Sequence, residues 1–200
     1  MFFFNSENDL DFELRTFVVD PKLASVAERA RQQREEFVNR FPLKCLNELR
    51  PEDVWGGDTG HDDFFHWITD KTKYTTNRLP WAKVRLGLEN GMPQHATYLT
   101  KSRMSSHGYG ERREYFYTTI RNHLLPFLYS HGREKIGEAQ ACFGQPLLLK
   151  ALYLYYPNDF SNIAAVGWID EITSAFIIDY GYTVYERSAN IRQFIVSRAR

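Results

Sequence analysis

Gly144-Gln145-Pro146-Leu147-Leu148-Leu149-Lys150-Ala151-Leu152-Tyr153-Leu154-Tyr155-Tyr156-Pro157 is the stretch on which the reading of the fold turns. Gly144-Gln145-Pro146 reads as a helix start, because proline suits a first turn whose amides have no intrahelical partner. Leu147, Leu148, Ala151, Leu152 and Tyr155 then recur at helical spacing, and Pro157 stops the element. An apolar stripe of this kind needs other elements to cover it, and the flanking sequence supplies them.

On its N-terminal side the spacing predicts a long helix over 111–130. Tyr115, Phe116, Thr119, Ile120, Leu124, Phe127 and Leu128 track its buried face, and Pro126 is expected to kink or split it. On its C-terminal side a helix is expected over 168–180, with Gly181 as its C-cap. A last helix, capped by Ser188, carries Ile191, Phe194 and Ile195. The sequence stops inside that helix at Arg198 and Arg200, which reads either as a fragment of a longer protein or as a frayed terminus. Further upstream, Asp20 and Pro21 open a helix over 21–40. Leu23, Val26, Ala27, Ala30, Phe37, Val38 and Phe41 fall near one of its faces, and Pro42 ends it. Residues 50–55 read as a short helical turn and Gly56, Gly57 and Gly60 as a loop. Asp62 or Asp63 caps a helix bearing Phe64, Phe65, Trp67 and Ile68.

One segment reads differently. In residues 83–89, Val84, Leu86 and Leu88 alternate with Lys83, Arg85 and Glu89, the period of a half-buried strand. Asn90-Gly91 is a hairpin signal, with a return strand expected over 96–101. The expected class is therefore α+β, mainly helical, with a small β-hairpin or sheet near residues 81–101. Residues 1–200 are read as one domain.

Hydrophobic residues make up 43% of the sequence and aromatics 16%, enough for a substantial core. Basic and acidic residues both number 25, so a wholesale nucleic-acid coat protein is excluded. Cys45 and Cys142, without a secretory signal, read as reduced cytoplasmic thiols. The apolar start, Met1 to Phe4, is followed at once by Asn5, Glu7, Asp9 and Asp11, which fits neither a signal peptide nor a membrane span. Walker, HExxH, paired CxxC and GxSxG motifs are all missing from the sequence. No catalytic residue and no cofactor is therefore assigned, and the chain by itself is expected not to be an enzyme.

Charge is unevenly spread. Between Lys71 and Arg113 there are nine basic residues and two acidic ones; the rest of the chain has sixteen against twenty-three. A neutral protein can carry a basic face, and phosphate backbones are bound by such faces. Lys71, Lys73, Lys83, Arg85, Lys101, Arg103, Arg112 and Arg113 are the expected phosphate contacts. Tyr74, Trp81, Tyr98 and Tyr109 are interleaved with them, and Trp81, Tyr98 and Tyr109 are the expected base-stacking residues. The competing reading is a solvated hairpin with ordinary core aromatics. His61, Asp62, Asp63 and His66 form a second grouping, with Asp62 and His66 four residues apart. Its metal reading competes with simple N-capping by the aspartates, and no metal is assigned.

The order of several motifs resembles a known family. Phe37-Val38-Asn39-Arg40-Phe41-Pro42-Leu43, Leu46 and Leu49, then a Gly-containing loop, Phe64-Phe65-His66-Trp67-Ile68 and Lys71-Thr72 are similar to the N-terminal regions of McrB-like AAA+ restriction proteins. Those regions read as an "FPL" segment, an "FCYWLE" helix and a "KFGIY" strand, for which Lys83-Val84-Arg85-Leu86-Gly87-Leu88 stands here. Residues 149–160 are similar to that family's "K-x-L-Y-L-Y-x-P-D-x-F" segment. The resemblance spans residues 37–176. His66 departs from the usual Cys or Tyr, Thr69-Asp70 replaces Leu-Glu, and the Gly- and Ser-rich stretch before the strand shrinks to Thr75, Thr76 and Asn77. The resemblance implies a DNA-recognition domain of a restriction or anti-phage system, reading modified DNA among its targets. It also implies an AAA+ motor in the same chain and a nuclease subunit as partners. The alternatives are a protein-interaction or oligomerisation module of a defence complex and, less favoured, a metal-dependent nuclease built on His61, Asp62, Asp63 and His66.

Overall fold

The computed structural model describes residues 21–54, 62–75, 88–89, 92–93, 117–176 and 178–198. In chain order the elements are α1 (Pro21–Arg40), a 3-10 turn (Leu43–Glu48), α2 (Pro51–Val54) and α3 (Phe64–His66), which runs on into a π turn (Trp67–Lys71). Then come α4 over 117–129, α5 (Ile136–Phe143), α6 (Gln145–Tyr155), α7 (Val166–Ala175) and α8 (Val184–Arg198).

The α+β expectation is overturned. Helix accounts for 73% of the described chain, and no sheet layer is built among the described residues. Extended pairing among the described residues amounts to two isolated pairs, Leu88 with Pro93 and Glu89 with Met92, around Asn90-Gly91. Two residues a side cannot present an apolar face, and three or more strands or a covering helix are needed for a sheet to stand. Alternation is a period-2 signal, and a layer needs a packed partner besides. The expected strands over 83–87 and 96–101 lie outside the described residues.

The core is organised around α6. Leu147, Leu148, Leu149, Ala151, Leu152 and Leu154 are all buried, so the helix is apolar on nearly every side, as an interior helix must be. Side chains tie its C-terminal end to two neighbours. Tyr155 Oη donates to Phe41 O at 2.8 Å, Tyr156 Oη donates to Leu128 O at 3.0 Å, and Arg34 Nε donates to Leu154 O at 2.9 Å. Phe37, Phe41, Phe64, Trp67 and Tyr155 form a ring cluster where α1, α3 and α6 meet, with centroids 5.5–6.4 Å apart.

Helix α1 has the expected bounds, but its apolar stripe is only half used. Phe37 is buried, whereas Leu23 and Val26 are exposed. Its expected cap, Asp20, lies outside the described residues. In α4, Pro126 sits in the first turn of the α-helical segment Leu125–Tyr129. A π turn (Ile120–Leu124) precedes it, with Leu125 N–H bonded to Ile120 O five residues back. The extra residue in that turn accommodates a ring that would otherwise press on the preceding turn's carbonyl. Helix α7 is Val166–Ala175, shorter than the 168–180 expected. Gly181 is therefore no C-cap; it lies in the approach to α8 with φ 58°. Ser188 is no cap either. It is buried inside α8, with its Oγ 2.9 Å from Ser161 Oγ. Among the described residues, no helix is long and apolar enough to cross a membrane.

Candidate nucleic-acid interface

The described part of the basic run starts at the end of the π turn, and local chemistry dictates its shape. Asp63 caps α3, its Oδ1 accepting from His66 N at 2.8 Å, which satisfies a first-turn amide. Phe64 and Phe65 then plunge into the core. The π turn closes with Thr72 N–H donating to Trp67 O at 3.1 Å. Thr72 Oγ1 donates to Ile68 O at 2.9 Å and Thr75 Oγ1 to Thr72 O at 2.7 Å, and both threonines are buried. With Thr72 and Thr75 turned inward, Lys71, Lys73 and Tyr74 stay exposed.

Two further contacts fix this corner. Tyr74 N–H donates to Gln33 Oε1 of α1 at 3.1 Å, and Lys73 Nζ sits 5.3 Å from the Tyr74 ring centroid. Ahead of α3, Arg40 is bound to the Asp62 carboxylate and stacks over the Phe41 and Trp67 rings, while Trp67 Nε1 donates to Asp62 Oδ1 at 2.7 Å. The result is a hydrogen-bonded corner offering two ammonium groups and a phenol ring to solvent. Such a set can neutralise phosphates and stack on a base.

Of the expected phosphate contacts, the structure places Lys71 and Lys73 together. Lys83, Arg85, Lys101, Arg103, Arg112 and Arg113 lie outside the described residues, as do Trp81, Tyr98 and Tyr109. In the second grouping, His61 also lies outside them. Asp62 and Asp63 are engaged with Arg40, Trp67 and the α3 amide, and His66 Nδ1 lies 3.4 Å from Asp70 Oδ2. These side chains serve different partners, and among the described residues no three His, Cys, Asp or Glu side chains converge on a metal position.

Sequence reasoning misses two participants in this corner and a third residue behind it. Gln33 and Arg40 read only as part of a helix, because nothing in their spacing marks a side chain that reaches another element. Lys150 reads as part of an apolar run. It is 2% exposed, and burial pulls its ammonium down to about 8, against an opposing pull from the Asp70 carboxylate. A lone Lys within a leucine-rich helix is the signal that could have found it.

Comparison with family models, curated proteins and solved structures finds no match to this chain.

Proposed function

We propose that the chain is a DNA-recognition domain of a restriction or anti-phage defence system, cytoplasmic and working beside an AAA+ motor and a nuclease. The observation that carries this reading is the basic run of nine against two, whose described start presents Lys71, Lys73 and Tyr74 on a fixed backbone. Lysines on phosphates position a protein and give salt-dependent affinity, whereas a ring next to them supplies sequence-tolerant stacking. The order of motifs over residues 37–176 supports the same reading. Cys45 and Cys142 are not bridged to each other, which suits a reducing compartment.

The test is fluorescence anisotropy of a labelled duplex across a salt series, with and without modified cytosine. Changing Lys71→Ala and Lys73→Ala together is expected to weaken binding at every sequence. It should also lower the slope of log affinity against log salt by about 2, since each lysine neutralises one phosphate. An unchanged slope would remove this corner from the interface. Arg112→Ala with Arg113→Ala is expected to behave in the same way.

A second reading, a protein-interaction module, is favoured by the exposed rings Trp168, Tyr180 and Tyr182, the last 99% exposed. Trp and Tyr are among the commonest anchors of protein interfaces. A complex that persists at high salt in a chain with no DNA affinity would select it.

A further inference from the structure

The turn between α4 and α5 holds two non-glycine residues in the left-handed region, His131 at φ 53° and Lys135 at φ 56°. His131 closes α4 in a Schellman motif, with Gly132 N–H donating to Phe127 O at 2.8 Å and His131 N–H to Leu128 O at 3.0 Å, which fixes the course of the turn. The same turn borders an open surface hollow of about 470 Å³, lined by Tyr129, Ser130, His131, Arg133 and Glu134. That volume lies within the roughly 300–1,000 Å³ of small-ligand clefts.

The lining is held in place. Ser130 Oγ donates to Phe127 O at 3.0 Å and accepts from the amides of Arg133 at 3.2 Å and Glu134 at 2.8 Å. The His131 ring stacks on Tyr156 with centroids 3.9 Å apart, and its Nδ1 lies 3.6 Å from Asp159 Oδ2. Tyr129 is 56% exposed, its Oη donating to Leu43 O at 3.3 Å. The Arg133 and Glu134 side chains are exposed and have no hydrogen-bond or ion-pair partner among the described residues, each other included.

We infer that this hollow is a nucleobase-binding site, with Tyr129 and His131 stacking on the ring and Arg133 and Glu134 reading its edges. A bare anion is a poor occupant, since Glu134 lines the hollow and Asp159 stands behind His131. A planar neutral ring with both acceptors and donors matches the whole set. Guanine matches it most completely: O6 and N7 accept from a guanidinium fork, and N1–H and N2–H donate to a carboxylate. The hollow is independent of the DNA reading and shares no residue with the Lys71–Tyr74 corner.

The experiment is an NMR titration of the full chain with guanosine, following the ring signals of Tyr129 and His131, with inorganic phosphate and glycine as controls. Saturable shifts are expected with guanosine and none with phosphate or glycine. Arg133→Ala and Glu134→Gln, both at exposed positions, should each weaken binding by about tenfold or more. Lys71→Ala with Lys73→Ala should leave it unchanged, so this site and the DNA interface fail separately. No shift up to the solubility limit, equal shifts from phosphate or glycine, or full affinity in Arg133→Ala would overturn the inference.

Discussion

Lys150 concentrates the residue-scale physics of this fold. A lysine 2% exposed among leucines carries a desolvation cost in its charged form, and its pKa falls from 10.5 to about 8. Below pH 8 the folded and unfolded chains hold the same proton and the penalty is constant. Between 8 and 10.5 the unfolded chain binds more protons, so stability rises with pH, by about 3 kcal/mol if the whole shift is realised. Tyr155 and Tyr185 act in the opposite sense. Burial holds both hydroxyls protonated above their usual 10, so stability falls once the pH exceeds about 10. Chemical denaturation as a function of pH should therefore show stability rising from pH 8 to a maximum near 10. Lys150→Met should raise stability at pH 7 by up to about 3 kcal/mol and abolish the rise. A flat profile in the parent chain would show that the ammonium is hydrated. The sequence shows where this residue sits but not its burial, because burial depends on what α1 and the π turn bring against α6.

At the scale of elements, the boundaries are set by small polar devices. Thr183-Val184-Tyr185-Glu186 is a capping box. Glu186 N–H donates to Thr183 Oγ1 at 3.2 Å, and Glu186 Oε2 accepts from the amides of Tyr182 at 2.7 Å and Thr183 at 2.9 Å. Gly181 delivers the chain into it, and a Cβ there would lie 2.9 Å from Glu186 Cβ. The box is legible in the sequence, yet Ser188 competes with it, because Ile191, Phe194 and Ile195 resemble the first apolar turn of a helix. Thr183→Ala is expected to cost about 1 kcal/mol and Ser188→Thr to cost more, since the second crowds a buried contact with Ser161. Equal, negligible effects in thermal unfolding would contradict this assignment of the cap. The π turn before Pro126 is not legible: a proline announces a disturbance, but whether the helix kinks, splits or widens depends on packing around it. Alternation over residues 83–89 is an incomplete signal for a related reason, since it records which faces differ, not whether a second layer exists.

Over the whole molecule, one buried cluster runs through α1, α3, α4, α5, α6, α7 and α8. Helices are legible because their stripes are long and their stops are prolines. The half-exposed stripe of α1 is not, since Leu23 and Phe37 look alike in a periodic pattern. Leu148→Ala should cost about 2–5 kcal/mol by leaving a cavity at the centre, while Leu23→Ala should change stability by less than about 0.5 kcal/mol. The candidate interface is legible as charge, through Lys71 and Lys73, but not as geometry: the inward turn of Thr72 and Thr75 and the anchoring by Gln33 come only with the fold. The measurement that tests the central proposal most directly is binding of the purified chain to a labelled DNA duplex at low and moderate salt. The account predicts saturable binding that falls steeply as salt rises. Absence of binding at low salt, with or without modified cytosine in the duplex, would contradict it.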